Sequence, residues 1–439
     1  MELDLWLAGR LVARTVGRSR GTKVIIAYDD TVLAEVGNEV PLLSCSLPTG
    51  GPSGQSVARA FLEGLLPEGR ALEAAAAQVR GVQLRDGVPE TPADVVQLLA
   101  AFGRECAGAV VVTPAGESGP AEGRYQELDE DALAALVLGL PEHPLGADLA
   151  RDIRMSLAGA QPKLLLARLD GRWAEPLEGA PSTHILKPTT AWPDSAYNEA
   201  LVMTLARDVG LTTSAVWVES VRDIEVFVAE RYDREWRGGE VIRLHQEDMC
   251  QALGLRPREK YRIGRPGGRM ARVLRQFTDD PGAELERLLR QITFRVLVGD
   301  EDGHGKNYSL LLNRGTVTLA PLYDCLCTLI YPELGGKMAT QIGNQVSLAK
   351  VDYAALLDEA KLMGISRGQA EPCLTELVGA VRAAIGTLDE RITGGWASER
   401  VIEIISTRLD RFEAGQPLGA VDPEKTYSGR TFDEATSQR

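Results

Sequence analysis

Asp302, Asn307 and Asp324 are the residues whose types and spacing best support chemistry. In GDEDGHGKNYSLLL (299–312), four residues separate Asp302 from Asn307. A protein-kinase catalytic loop has this spacing: the Asp accepts a hydroxyl proton and the Asn reaches a cation on the phosphates. Asp324 closes LAPLYD seventeen residues after Asn307. The segment between, YSLLLNRGTVTLAPLYD (308–324), reads as a hairpin turning at Arg314-Gly315. Kinases place a second metal-binding acid after such a hairpin. Taken singly, the three residues have plainer roles: a turn Asp, a strand-entry cap and a solvated strand end. Their joint order and spacing support catalysis, with Asn307 and Asp324 as metal ligands.

A phosphotransfer site also needs a cation on the nucleotide phosphates and a carboxylate to steady it. Lys187 ends the strand THILK (183–187), and Glu199 follows in the next helix, SAYNEALVMTLARDVGL (195–211), as the expected lysine partner. The segment MSLAGAQPK (155–163) precedes a strand, where a phosphate-covering loop belongs. It has a single Gly and matches neither G-x-G-x-x-G nor Walker A. Its small residues, Ser156, Ala158, Gly159 and Ala160, allow close backbone approach to an anion. AERYD (229–233) closes the last small-lobe strand, which makes Glu230, Arg231 and Tyr232 candidates for meeting adenine. His304 and Lys306 flank the expected phosphates. A His/Asp metal site for hydrolysis at His304 is the competing idea, but no further ligands stand at recognisable spacing.

Elements that position these residues follow from periodicity. Between residues 1 and 50, LWLAGRLVARTV, KVIIAYDDTVLAEV and EVPLLSCSL read as short antiparallel strands. SVARAFLEGLLPEG, RALEAAAAQVRG and TPADVVQLLAAFG read as helices, the last with Thr91 and Asp94 as a capping box. GAVVVTP (108–114) reads as a strand, followed by a loop and a helix near 129–138. KLLLARLDGRWAEPL is expected to turn at Asp170-Gly171, and SAVWVESV with EVFVAERYD at Arg222-Asp223. Gly210 is the expected C-cap of the helix after Lys187. Beyond residue 235, QEDMCQALGL, RMARVLRQF, AELERLLRQITFRVLVGD and three later segments read as helices.

The chain has 439 residues and a formal net charge of −14. Hydrophobic residues make up 44% and charged residues 25%, the balance of a packed globular protein and against wholesale disorder. An acidic chain is a poor nonspecific DNA binder by itself. The six cysteines form no C-x2-C pair, and the four histidines lie far apart, so spacing shows no metal cluster. No apolar run reaches the ~18 residues of a membrane span, and a cytoplasmic protein with reduced thiols is expected.

The ordered motifs SLAGAQPK, THILKPT, the NE of YNEALVMTLA, AERYDR, HQEDMCQALGL, GDEDGHGKNYS and LAPLYD resemble the HipA family of serine/threonine-kinase toxins. SLPTG, GLLPEGR and GRECAGAVVV extend the resemblance toward the amino terminus. The resemblance implies an α+β, bilobed protein-kinase-like fold with a β-rich N-terminal part and a mostly helical C-terminal lobe. The expected division is 1–145, 146–235, 236–420 and a loose tail, 421–439. It implies ATP and Mg²⁺, Asp302 as base, and Asn307 and Asp324 on the metal. Lys187 would contact the phosphates, and Ala158, Gly159, Ala160, Gln161, Pro162 and Lys163 would form the phosphate loop. His304 and Tyr323 would lie near the nucleotide, and Ser156 would be autophosphorylated. The implied protein substrate is an aminoacyl-tRNA synthetase such as the glutamyl enzyme. The implied partner is a HipB-like helix-turn-helix antitoxin that supplies the DNA contacts. Two departures from ordinary protein kinases stand out: no Arg precedes Asp302, and Cys-Leu rather than Phe-Gly follows Asp324. The alternatives are a small-molecule kinase of aminoglycoside or choline type and a catalytically silent corepressor scaffold.

Overall fold

A computed structural model describes residues 1–18, 23–117, 119–120, 123–140, 143, 155–157, 161–189, 192–313, 315–331, 337–388 and 395–420. The chain divides into two compact units. One comprises Met1–Lys187, Glu230–Lys260 and Ser309–Val317; the other comprises Pro188–Ala229, Tyr261–Tyr308 and Thr318–Arg439. Ala158, Gly159, Ala160, Arg314 and the expected tail 421–439 lie outside the described residues.

The first unit opens with three antiparallel strands, Leu3–Leu7, Arg10–Arg18 and Lys23–Tyr28. Val110–Pro114 joins on the far side of the first. Alternation along these strands sends Leu3, Leu5, Val24 and Ile26 into one core. The helices Gln55–Gly64, Gly69–Gln78 and Pro92–Phe102 contribute Phe61, Leu72 and Phe102 to that core. The Thr91–Asp94 capping box is present, with Asp94 N donating to Thr91 Oγ1 at 3.3 Å and Thr91 N to Asp94 Oδ2 at 2.8 Å. A second sheet runs His184–Pro188, Leu164–Leu169, Arg172–Leu177, Arg124–Glu127. Its hairpin turns at Asp170 and Gly171, both at positive φ (48° and 81°), as an Asp-Gly turn of this kind requires.

Three expected elements differ from the structure. TVLAEV continues no strand: Asp30–Val36 is a helix, because Asp29 accepts from Thr31 N at 3.0 Å and caps it. EVPLLSCSL forms no extended strand, and Pro41 lies within it. Its Ser46 hydroxyl donates instead to the Gln251 carbonyl at 2.7 Å. QED (246–248) is not helical: His245–Asp248 is a strand paired with Ser309–Asn313, and helix begins only at Met249, where Asp248 and Gln251 make a capping box. The strand's partner lies some sixty residues downstream and leaves no local signal.

Charge is buried in this unit as a network. The Glu105 carboxylate accepts from Arg231 at 3.1 Å, Arg234 at 2.8 Å and Arg243 at 2.7 Å, and Asp233 accepts from Arg231 at 2.8 Å. Burial pushes the Glu105 carboxyl up, but Arg234, Arg243 and Arg231 outweigh it and hold the group at about 2. Glu247 has no such cation. Burial raises it from 4.5 to about 7, against the donors of Ser44 and Cys45.

The second unit is mostly helical: Ser195–Asp208, Pro266–Phe277, Pro281–Val298, Tyr353–Leu362, Arg367–Ile385 and Gly395–Glu413, with the hairpin Val216–Val221 and Ile224–Glu230. The helix Ser195–Asp208 has Val209 at its C-cap, and Gly210 follows at φ 81°, one residue later than expected. Pro281–Val298 is central to this unit, buried along most of its length and packed by the helices Pro266–Phe277, Arg367–Ile385 and Gly395–Glu413. Arg408 donates to the Val296 and Leu297 carbonyls at 2.6 and 3.2 Å, fixing its last turn.

Glu105→Ala takes the carboxylate from Arg243 and leaves Arg231 and Arg234 with Asp233 alone, and is expected to destabilise the protein by about 3–5 kcal/mol in chemical denaturation. Glu247 gives a pH signature. Its raised pKa contributes stability below about 4.5 that is lost as pH rises through about 7. Glu247→Gln should therefore gain on wild type by roughly 2–3 kcal/mol between pH 4.5 and 8. His245, lowered to about 4 by burial, is common to both proteins and cancels in the comparison.

Candidate active site

The helix Pro281–Val298 delivers the chain to Gly299, which ends it at φ 83° in the left-handed region glycine favours. The loop Asp300–Asn307 then folds on itself. His304 N donates to Asp302 O at 2.6 Å, Asn307 N to His304 O at 2.9 Å, and Asn307 Nδ2 to Asp302 O at 2.9 Å. The last bond turns Asn307 Oδ1 the other way, as an oxygen donor. Asn307 is buried, whereas the Asp302 side chain keeps 51% of its surface exposed. An exposed carboxylate on a buried, bonded loop suits a base that must meet an incoming hydroxyl.

Asp324 lies in this same unit, at φ 52°. Positive φ is uncommon for a residue with a Cβ and clusters at functional sites. One side chain binds its segment to the catalytic loop. Arg295, buried on the preceding helix, donates to Asn307 O at 3.2 Å, Tyr323 O at 2.7 Å and Asp324 O at 3.1 Å. The same guanidinium pairs with Asp300, which also accepts from Asp302 N at 2.9 Å. Burial works against the Arg295 charge, but Asp300 more than offsets it and holds the group protonated. Tyr323 Oη donates to Lys306 O at 2.6 Å, a further tie between the two segments. His304 and Lys306 are buried here, and His304 Nε2 stands 4.0 Å from Asp302 Oδ2. Among the described residues, no group of three or more His, Cys, Asp or Glu side chains is arranged to hold a metal. The oxygen donors of Asn307 and Asp324 are nonetheless the hard ligands that Mg²⁺ takes, one or two from protein with the rest from phosphates and water.

Glu199 is buried on the helix Ser195–Asp208 of this unit, beside Asn198. Asn198 binds Cys327 at two points: Cys327 N donates to its Oδ1 at 2.9 Å, and its Nδ2 donates to Cys327 O at 2.9 Å. The helix is thereby fastened three residues past Asp324.

The remaining expected residues lie in the first unit. Lys187 and Lys163 are both buried, Lys187 on the strand His184–Pro188 and Lys163 just before Leu164–Leu169. Gln161 and Pro162 precede Lys163 and are half-buried. Glu230 is exposed at the end of Ile224–Glu230. Arg231 is spent inside the unit: its N–H donates to Thr183 O at 2.9 Å and its side chain belongs to the Glu105 network. Tyr232 Oη donates to Gln246. Ser156 is fully buried, its Oγ donating to Leu65 O at 2.5 Å and its N to Glu105 O at 2.7 Å.

Spacing did not single out Arg295, Asp300 or Glu105. The signal for Arg295 was a lone cation in the apolar run ITFRVLV, since such a residue is buried only with partners.

An exposed Asp, a buried Asn and a further Asp tied together in one unit of a mixed helix and sheet frame suit a phosphotransferase of the protein-kinase-like class. Comparison with known proteins narrows this. The family model for the HipA-like C-terminal domain matches residues 155–385, and the HipA N-terminal domain matches 3–113. A Sinorhizobium fredii protein named "Putative kinase Y4mE" is 36% identical, over 88% of this chain and 92% of its own length. The serine/threonine-protein kinase toxin HipA of Shewanella oneidensis is 26% identical, over 78% of this chain and 80% of its own. The solved complex of the Shewanella oneidensis MR-1 toxin–antitoxin system, HipA and HipB with operator DNA, contains a chain of the same fold. It aligns at a TM-score of 0.77 and 24% identity, over 94% of this chain and 97% of that one. The chain belongs to the HipA family of serine/threonine kinases. The expected family, the α+β kinase-like class and the kinase activity are borne out.

Asn198→Ala removes both bonds to Cys327 and leaves buried backbone groups unsatisfied. It is expected to cost about 2–4 kcal/mol, read by urea denaturation.

Proposed function

We propose that this chain is a toxin kinase that transfers the ATP γ-phosphate to a serine or threonine of an aminoacyl-tRNA synthetase, such as the glutamyl enzyme, and so halts translation. The observation that carries the reading is the single buried guanidinium binding the segments of Asn307 and Asp324, on a loop that exposes Asp302. Asp302 accepts the proton of the attacking hydroxyl, whose oxygen forms the new bond to the γ-phosphorus as the bond to the β-bridging oxygen breaks. Asn307 and Asp324 would hold Mg²⁺, whose charge would offset that of the phosphates. Lys187, residues 158–163 and His304 bind phosphates, with Glu199 as the partner of Lys187. Glu230, Arg231 and Tyr232 flank adenine, Arg231 through its carbonyl since its N–H and side chain are committed. Tyr323 lies near the nucleotide.

Ser156 is the proposed autophosphorylation site. Its hydroxyl sits fully buried against the Leu65 carbonyl, so phosphorylation has to break that bond and draw the segment out. A phosphate there carries about −1.5 to −2 charges into an interior with no room for it. This supports a modification that silences the enzyme. The proposed partner is a HipB-like antitoxin, which would carry the DNA contacts that a chain at −14 lacks. Among the described residues no helix is long and apolar enough to cross a membrane, and we place the protein in the cytoplasm.

Incubation with radiolabelled ATP and a lysate, then with purified synthetases and a panel of small alcohols, tests the reading. A labelled synthetase and phosphate on Ser156 by mass spectrometry are the expected results. Label only on small alcohols would refute the protein-kinase assignment. Asp302→Ala should keep the fold and antitoxin binding but lose transfer and toxicity, by a factor of at least 10²–10⁴ in rate.

A further inference from the structure

The buried pair of Arg295 and Asp300 touches both the loop that carries Asp302 and Asn307 and the segment of Asp324, yet neither residue can itself meet a substrate. Asp300 is buried behind the loop and accepts from the N–H of Asp302, the proposed base. Arg295 donates to the carbonyls of Asn307, Tyr323 and Asp324, the stretch that carries both proposed metal ligands. Its guanidinium also stacks over the Tyr308 ring, with 5.3 Å between Cζ and the ring centroid. A Cβ on Gly303 would come within 3.3 Å of Arg295 Cδ, so the loop is packed closely against this side chain. Cys325, the residue after Asp324, hydrogen-bonds to Asp300. Contacts from two short segments, 302–308 and 323–325, therefore converge on one ion pair.

We propose that Arg295 and Asp300 together are the positioning unit of the phosphotransfer site, setting the separation of Asn307 from Asp324 and the orientation of Asp302. This rests on the assignment of Asn307 and Asp324 to Mg²⁺. Three features support more than a general packing role. The acceptors are backbone carbonyls of the ligand residues themselves, so any shift of the guanidinium moves the ligands directly. Asp324 stands at φ 52°, and Arg295 holds its carbonyl at 3.1 Å, so the guanidinium bears on the turn that aims the side chain. The fork of Arg reaches several oxygens in one plane, which a Lys ammonium cannot reproduce.

Arg295→Lys and Asp300→Asn test this in the full-length protein. Mn²⁺ binding is titrated by electron paramagnetic resonance with a non-hydrolysable ATP analogue present, and turnover is measured per folded molecule. Arg295→Lys keeps the charge and loses the fork. Its Mn²⁺ midpoint should weaken by at least about tenfold and kcat should fall by about 10–100-fold, the range for residues that orient metal ligands. KM for ATP should change far less. An unchanged Mn²⁺ midpoint in folded Arg295→Lys overturns the proposal, because a purely structural role lowers the melting temperature without moving that midpoint. Should Arg295→Lys fail to fold, Asp300→Asn decides the matter: it keeps the acceptor for Asp302 N and loses the charge. A weakened midpoint supports the positioning role, and a wild-type midpoint refutes it. If wild type itself binds no Mn²⁺ with the nucleotide analogue, the metal assignment fails first and the proposal falls with it.

Discussion

A guanidinium inside an apolar helix has to be neutralised where it stands. Desolvation of such a group costs several kcal/mol, and partial pairing does not recover it. Arg295 meets that demand with one carboxylate and three backbone carbonyls, all from loops that follow its own helix. The arrangement of the loop Asp300–Asn307 and of the turn at Asp324 follows from this constraint. The chain supplies acceptors where the cation is, and two of them are the carbonyls of Asn307 and Asp324.

The first unit solves a similar problem at larger scale. Glu105 satisfies Arg231, Arg234 and Arg243, while its own carbonyl accepts from Ser156 N. Ser182 donates to the same carboxylate through both its N–H and its hydroxyl. One acid thus joins Arg231, the hairpin Arg234–Arg243 and the segment around Ser156. Removing it would loosen all three at once. A sequence reading sees Arg231 as a strand-exit residue facing a nucleotide; the structure shows most of its donors already used by Glu105, Asp233 and the Cys106 carbonyl.

Much of this was legible in the residues alone, for physical reasons. Long amphipathic segments such as 281–298 and 395–413 announce themselves by period, and Thr91 with Asp94 marks a helix start whatever surrounds it. Asp170-Gly171 and Arg222-Asp223 locate two hairpins. Asp302, Asn307 and Asp324 could be found because their spacing along the chain is itself the signal. The failures share a cause. Asp29 capping Thr31 outweighed the alternation in TVLAEV, and the strand His245–Asp248 exists because Ser309–Asn313 pairs with it from far downstream. Arg295 and Glu105 matter through partners remote in sequence, and no local window contains those partners. A candidate base and candidate ligands can be singled out by spacing; the ion pair that ties their segments together cannot.

The two-point bond between Asn198 and Cys327 carries a mechanical implication. An amide that meets both the N–H and the carbonyl of one residue ties the turn of helix bearing Glu199 to the chain three residues beyond Asp324. A change that frees Asn198 from Cys327 therefore slackens the helix and the turn at one and the same point.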